Sequence, residues 1–231
     1  MPTPYGGPMK TLFACLFILC FAAPIFAAEE EVPLFKNVSY GMSKAAVREA
    51  TGAVPCKDEV LKGQLCSKKP INFGKQSWEQ LFRFANDKLI SVVLSKKFDR
   101  KSMQNVIRTI ENNGYNIILM HDGQKTFDKL EEWSKGPTHD ADLEEMKFKR
   151  SAMNANKFSY TLIENNSISK TVEKTNHLSR NILELLANAP RSLRAVEVSR
   201  VGKEFLLVKF SAPIARMKDD LKNQEDINDT L

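Results

Sequence analysis

Trp78-Glu-Gln-Leu-Phe-Arg-Phe84 and Leu89-Ile-Ser-Val-Val-Leu94 are two runs of aromatic and β-branched residues, separated by Asn86-Asp87. Such runs are typical of β-strands, and an Asn-Asp pair between them is typical of a tight turn. The sequence therefore predicts a β-hairpin over residues 78–94.

Helical patterns flank this hairpin on both sides. Residues 43–52 predict a short helix, because Ser43 can accept hydrogen bonds from free amides at its start and Gly52 can adopt the left-handed conformation at its end. Residues 99–114 place apolar side chains at helical spacing, and this helix is expected to lie across the hairpin. Residues 115–120 then predict another strand.

The second half of the chain continues the mixture of helices and strands. The patterns predict a helix over residues 124–135, a polar loop over 136–142, a second hairpin from 146–150 and 157–163, a long helix over about 167–187, and a final hairpin from 193–198 and 205–210. Beyond Pro213 the chain is polar; a helix is expected to begin near Arg216, and the last ten residues are expected to be disordered.

This order of elements predicts an α+β protein, with antiparallel sheet packed on one face by helices. Helix, hairpin, helix and strand in residues 43–120 are echoed by helix, hairpin, helix and hairpin in residues 124–211. Two tandem units, 29–122 and 123–212, followed by a tail over 213–231, would explain that echo. A single continuous antiparallel sheet covered by helices is the competing arrangement.

The first 28 residues predict an export signal. Lys10 precedes an apolar run over residues 11–23, and Pro24-Ile-Phe-Ala-Ala28 follows it, with cleavage expected after Ala27 or Ala28 and with Met1 or Met9 as the start. The run is too short for a spanning helix and contains no cysteine in a lipoprotein context. A periplasmic or secreted protein without a stable membrane anchor is expected.

Two of the four cysteines remain after removal of this leader. Cys56 and Cys66 would then lie in a compartment where thiols are oxidised, and the sequence predicts a disulfide between them. A redox-active pair is usually spaced Cys-x-x-Cys, and a structural zinc site needs about four ligands, so neither fits this pair.

Composition indicates a globular protein with a solvated, mildly basic surface. The chain is 42% hydrophobic and 27% charged, with a net charge of +6 that is not concentrated in one block. A basic patch for nucleic acid or anionic lipid is therefore not indicated, and no nucleic-acid partner is predicted.

Few residues offer catalytic or metal-binding chemistry. His121-Asp122 would place a His-Asp pair at a strand end, but Asp122-Gly123 is also a common turn pair, and the turn is favoured. An acidic cluster lacks the spacing of a calcium loop and is interpreted as a solvated loop; it consists of His139, Asp140, Asp142, Glu144 and Glu145. His177 is the third of only three histidines, so histidine-based catalysis has few options. No nucleophile elbow or free mature cysteine occurs, and no catalytic residue, metal or cofactor is predicted.

One stretch resembles a known group of small envelope proteins. Tyr40-Gly-Met-Ser-Lys-Ala-Ala-Val-Arg-Glu-Ala-Thr-Gly52, followed by residues 78–84 and 88–92, is similar to the opening helix and strand pair of BamE-like and β-lactamase-inhibitor-like proteins. The resemblance covers residues 38–120. It implies short helices on one face of an antiparallel sheet and a tendency to bind other proteins as inhibitors or assembly subunits, and it assigns no site residues.

Trp78, Phe82 and Phe84 are the candidate binding residues. Aromatic side chains often anchor interfaces, although filling the core beneath the helices is their more ordinary role. The expected function is that of a non-enzymatic binding or assembly module acting on a protein, such as a periplasmic one, or on another envelope component. The alternative is an envelope hydrolase or metal-dependent enzyme using His121, Asp122 or the His139–Asp142 cluster.

Overall fold

The protein is described by a computed structural model over residues 31–136, 140–152 and 155–228. Within these residues, ten strands form one antiparallel sheet, two further strands form a small separate hairpin, and helices pack against the sheet. The predicted α+β class is confirmed.

The strands are β1 (Pro33–Phe35), β2 (Val38–Ser39), β3 (Val54–Pro55), β4 (Leu65–Cys66), β5 (Ile71–Phe73), β6 (Gln76–Ala85), β7 (Lys88–Lys97), β8 (Tyr115–His121), β9 (Thr126–Asp128), β10 (Phe158–Glu164), β11 (Ala195–Val201) and β12 (Phe205–Ser211). The helices are α1 (Lys44–Thr51), α2 (Arg100–Asn112), α3 (Lys129–Ser134), α4 (Ala141–Ala152), α5 (Asn165–Thr175), α6 (Ile182–Asn188) and α7 (Pro213–Asn228). A single turn of 3₁₀ helix covers Glu59–Leu61.

The sheet is continuous from the first half of the chain to the second. Its strand order is β3-β4-β6-β7-β12-β11-β10-β8-β9, and β5 pairs with another part of β6. The final hairpin, β11–β12, therefore lies between β7 and β10, and the two segments expected as tandem units share one sheet. Asp122 and Gly123, at the expected boundary between the units, lie in the connection between the paired strands β8 and β9.

The central hairpin forms as predicted. β6 and β7 pair antiparallel, with Leu81 opposite Val93 and Phe82 opposite Val92. Asn86 and Asp87 have φ angles of 48° and 61°. Two consecutive left-handed residues match the twist of the flanking strands, and Asn and Asp tolerate this conformation better than most residues.

The two helices beside the hairpin also form as predicted. The Ser43 hydroxyl accepts a hydrogen bond from the Ala46 amide at 3.2 Å, and α1 ends at Gly52, which has a φ of 68°. At the start of α2, the Asp99 carboxylate accepts a hydrogen bond from the Ser102 amide at 2.7 Å. These caps satisfy amides that would otherwise lack a partner at the helix starts.

Apolar side chains pack on both faces of the sheet. The larger core lies on one face, where α2 covers the sheet with Met103, Val106 and Ile110. A smaller core includes Ile163 of β10 and Leu185 of α6. Successive residues of a strand point to opposite faces, and Leu162, the neighbour of Ile163, belongs to the larger core. Helices therefore pack on both faces of the sheet, whereas the sequence predicted them on one face only.

The strand and helix predictions around residue 140 need correction. Only the second part of the predicted helix 124–135 is helical, because residues 126–128 form β9 and the Asp128 carboxylate caps α3 by accepting from the Leu130 amide. Residues 146–150 belong to α4 and form no strand. The Asp140 carboxylate accepts from the Leu143 amide at the start of α4, and Lys147 pairs with Glu144 one turn away. These local interactions favour the helix over the alternating pattern.

The predicted long helix 167–187 is two helices. α5 ends at Asn176, which adopts the left-handed conformation with a φ of 59°. α6 begins after Asn181, whose side chain accepts from the Glu184 amide at 2.9 Å. Asparagine suits both positions, so the chain turns between them. The tail also differs, since α7 continues to Asn228 through part of the segment expected to be disordered.

The predicted disulfide is present. The sulfur atoms of Cys56 and Cys66 lie 2.11 Å apart, and the bond closes the loop between β3 and β4, which pair with each other. Within the described ranges, no helix is both long enough and apolar enough to cross a membrane.

Candidate functional site

The predicted aromatic binding residues are core residues. Trp78, Phe82 and Phe84 are 1%, 0% and 8% exposed and belong to the larger core. The Trp78 indole donates a hydrogen bond to the Phe73 carbonyl at 2.9 Å, so its polar atom is also satisfied. These side chains do not form an exposed binding surface, because their shared face of β6 is the one that packs beneath the helices.

The opposite face of the same strands is open to solvent. Its central row runs from Leu81 through Val93 and Lys209 to Glu197, four residues that are opposite one another on β6, β7, β12 and β11. Val93 is buried, whereas Leu81, Lys209 and Glu197 are half-buried. The Lys209 ammonium lies 3.5 Å from the Glu197 carboxylate. The row therefore combines a partly exposed charge pair with the half-buried Leu81 and the buried Val93.

Two further rows extend this face toward one end of the sheet. In the first, Ser95 of β7 is opposite Leu207 of β12, and Leu207 is opposite Ser199 of β11; all three are half-buried. In the second, Phe205 is opposite both Lys97 and Val201. Phe205 and Val201 are 52% and 53% exposed. We call these three rows the open sheet face; they contain Leu81, Val93, Lys209, Glu197, Ser95, Leu207, Ser199, Lys97, Phe205 and Val201.

Helix α7 borders the open sheet face and forms a groove with it. The groove has a volume of about 430 Å³ and is lined by Ile90 and Lys209 from the sheet and by Met217 and Leu221 from the helix. Met217 and Leu221 are 48% and 52% exposed, and they lie on one side of α7 because they are four residues apart. Lys209 belongs to both the groove and the open sheet face, so the two surfaces are continuous.

A polar network holds α7 in this position. The Tyr40 hydroxyl donates a hydrogen bond to the Asp219 carboxylate at 3.1 Å, and an Arg191 guanidinium nitrogen lies 2.9 Å from the same carboxylate. Burial, followed by the charge of Asp219 and this hydrogen bond, raises the pKa of Tyr40 above its ordinary value. The Tyr40 hydroxyl therefore stays protonated and can donate this hydrogen bond. Tyr40, Arg191 and Asp219, which are far apart in the sequence, meet at α7.

The histidine candidates are engaged in local structure. The His121 Nδ1 atom lies 3.1 Å from the Thr126 hydroxyl, and the Asp122 carboxylate accepts from the Gln124 and Lys125 amides at 2.9 and 2.8 Å. These backbone hydrogen bonds lower the pKa of Asp122. Asp122 is thus a turn-forming residue, in agreement with the turn favoured from the sequence for Asp122-Gly123. His177 is exposed, and its Nε2 atom is 3.8 Å from Glu184.

The described carboxylates of the acidic cluster cap a helix or form ion pairs with lysines. His139 lies outside the described residues, and Asp140 caps α4. Glu145 is 8% exposed and lies 2.5 Å from the Lys129 ammonium and 2.6 Å from that of Lys149. Burial alone would raise the pKa of Glu145, but hydrogen bonds from the two lysines outweigh it and lower the pKa. Across the described ranges, no three His, Cys, Asp or Glu side chains are grouped to hold a metal ion.

Sequence reasoning missed the open sheet face. Leu207 lies in a strand of the final hairpin as predicted, whereas Val201, expected between the two strands, is the last residue of β11. A hairpin pattern does not reveal which strands become its neighbours. No protein-family model matches the chain, and no curated protein or solved structure is significantly similar to it. The resemblance of residues 38–120 to BamE-like and β-lactamase-inhibitor-like proteins therefore stays a prediction.

Proposed function

We propose that this chain is a non-enzymatic binding module of an extracytoplasmic compartment, and that its open sheet face binds a protein or another envelope component. One observation carries the proposal: side chains of four adjacent strands remain partly exposed on one face, while the opposite face of the same strands is buried.

The composition of the open sheet face supports binding to another macromolecule. Leu81, Leu207 and Phe205 provide separate apolar contacts, and small Ser95 and Ser199 lie beside Leu207 on the neighbouring strands. Interfaces commonly combine apolar anchors with a polar surround, and small side chains allow a partner to approach the sheet closely. The adjoining groove adds the exposed side chains of Met217 and Leu221 and enlarges the apolar area.

The disulfide supports an extracytoplasmic location. The Cys56–Cys66 bond would be reduced in most cytosolic compartments and persists in oxidising ones. This agrees with the export signal predicted from residues 1–28, and the two observations are independent because one rests on pairing and the other on the leader sequence.

The alternative, an envelope hydrolase or metal-dependent enzyme, has no comparable support. His121 and Asp122 make contacts within their own turn, and the described carboxylates of the acidic cluster cap a helix or pair with lysines. None of these contacts favours catalysis over local structure, so binding is the function that the geometry supports best.

Affinity purification with matched variants tests the proposal. The tagged chain would be recovered from envelope extracts as the wild type, as the double variant Leu81→Arg with Leu207→Arg, and as the control Leu183→Arg. Leu183 lies on α6, is not among the residues of the open sheet face or of its groove, and is 74% exposed. Thermal unfolding of each variant would first establish that the fold is intact.

The wild type and Leu183→Arg are expected to recover one stoichiometric partner, and the double variant is expected to lose it. Two buried guanidinium groups without partners would strongly oppose the interface. Recovery of the wild-type monomer alone, or equal recovery of the partner by all three proteins, would contradict the proposal.

A further inference from the structure

Four connections of the chain converge at one end of the sheet. Lys97 at the end of β7 is opposite Phe205, and Arg200 of β11 is opposite Phe158 at the start of β10. The next residue of β10, Ser159, is opposite His121, which is followed by the β8–β9 turn. The connecting residues 98–99, 122–125, 155–157 and 202–204 therefore lie at the same end of the sheet.

These connecting residues, taken with the ends of the elements that adjoin them, carry an excess of positive charge. The connecting residues themselves contain Lys125, Lys157 and Lys203 and the carboxylates of Asp99, Asp122 and Glu204, and the adjoining ends of β7, α2 and β11 add Lys97, Arg100, Lys101 and Arg200. We call this set, together with Val201 and Phe205, the basic end. All five of its lysines are exposed. The Asp122 carboxylate already accepts hydrogen bonds from backbone amides of its own turn.

The lysines of the basic end have no ionic partner among the described residues, and the ion pair found at that end joins Lys96 to Asp99. At the opposite end of the sheet, by contrast, Arg194 pairs with Glu164 and Lys44 lies 3.8 Å from Asp87. The five lysines of the basic end have no such carboxylate partner in the part of the chain that the structure describes. An unneutralised cluster of lysines attracts polyanions over about one Debye length, roughly 10 Å at 0.1 M salt.

Two exposed apolar side chains lie within this cluster. Val201 and Phe205 are directly opposite on β11 and β12 and are 53% and 52% exposed. The hairpin that carries them is braced by Arg200, whose guanidinium lies 4.1 Å from the Phe98 ring centre and donates to the carbonyls of Ala155 and Lys203. The apolar pair is therefore held at a defined place among the lysines.

We propose that the basic end docks on the surface of an anionic lipid bilayer, with Val201 and Phe205 entering the headgroup region and the lysines contacting lipid anions. Apolar residues surrounded by lysines are the combination that interfacial binding needs, because burial of the apolar pair adds to the attraction between lysines and anionic headgroups. A nucleic acid would use the lysines but would leave the aliphatic Val201 without a role.

Vesicle sedimentation tests this proposal with the purified protein and lipid vesicles, in the absence of any protein partner. The wild type is expected to bind phosphatidylcholine vesicles that contain phosphatidylserine, to ignore vesicles of pure phosphatidylcholine, and to dissociate as salt is added. One lysine near an anionic surface changes partitioning about fivefold, so Lys97→Glu with Lys203→Glu should lower the partition coefficient by at least about 25-fold. Phe205→Ser should lower it about fivefold.

Matched controls test whether vesicle binding depends on the basic end itself or only on the net charge and the exposed apolar area of the protein. Lys88→Glu with Lys222→Glu makes the same change in net charge at exposed lysines away from the basic end, and Leu183→Ser removes an exposed apolar side chain from α6. Both controls are expected to bind vesicles nearly as the wild type does.

Three outcomes would overturn the proposal. They are absence of wild-type binding to anionic vesicles, an equal loss of binding in the lysine control, and preferential binding to random duplex DNA that does not depend on Phe205. The assay contains no protein partner, so its failure would leave the proposed role of the open sheet face untouched.

Discussion

Replacement of Phe82 by alanine tests whether the central hairpin supplies the core or a binding surface. Phe82 is 0% exposed and lies between Leu65 of β4 and Val92 of β7, its cross-strand neighbours in the larger core. A buried Phe→Ala substitution removes apolar contacts and leaves a cavity, which costs about 3–5 kcal/mol. For a chain of this length, each kcal/mol corresponds to about 2–4 °C in Tm, so a fall of about 6–20 °C is expected.

The assay is guanidinium unfolding followed by circular dichroism, with Phe205→Ala as the matched control. Phe205 is 52% exposed, and its truncation should change the free energy of unfolding by less than about 1 kcal/mol. The slope of the unfolding transition should stay constant, so that the shift in midpoint reports stability. A loss below about 1 kcal/mol for Phe82→Ala would refute the reasoning, because it would mean that the side chain is not part of a packed core.

Three further predictions concern single features of the fold. Replacing Cys56 and Cys66 by serine should lower the free energy of unfolding by about 2–3 kcal/mol in thermal or chemical unfolding, since the bond closes a short loop; an unchanged stability would contradict this. Gly52→Ala should cost about 1 kcal/mol in the same assay, because Gly52 has a φ of 68° and no atom crowds the added methyl group; a stabilising effect would show that α1 ends differently. Glu145 has a lowered pKa, so its contribution to stability is present above the ordinary carboxyl pKa and is lost as pH falls below it. Glu145→Gln should therefore destabilise the protein at neutral pH and flatten the acid side of its stability profile, whereas a parallel profile would exclude this role.

Local signals in the sequence predicted the elements that carry strong caps and clear periodicity. The β6–β7 hairpin was found because Asn86-Asp87 separates two strand-like runs, and α1 was found because Ser43 and Gly52 mark its ends. Residues 146–150 were misassigned because Met-Lys-Phe-Lys alternates as a strand does, while the ion pairs and cap that stabilise α4 depend on residues before this run. Strands of two or three residues, such as β3, β4 and β9, are too short to show a period.

The candidate surfaces depend on contacts that local patterns do not encode. β12 pairs with β7 across more than a hundred residues of chain, and this pairing creates the row from Leu81 to Glu197. The basic end likewise gathers lysines from distant parts of the chain, such as Lys97 at the end of β7 and Lys157 and Lys203 in two connections. Composition showed only a net charge of +6 spread along the chain, and the fold concentrates part of that charge at one end.

Site-specific photo-crosslinking from the open sheet face tests the central claim most directly. A photoreactive residue would replace Leu207, and another would replace the exposed Leu183 as the control, in the full chain expressed in its own host. We expect one dominant adduct of defined mass from position 207 and none of that mass from position 183. No adduct from position 207, or the same adducts from both positions, would contradict the claim that the open sheet face is the binding surface.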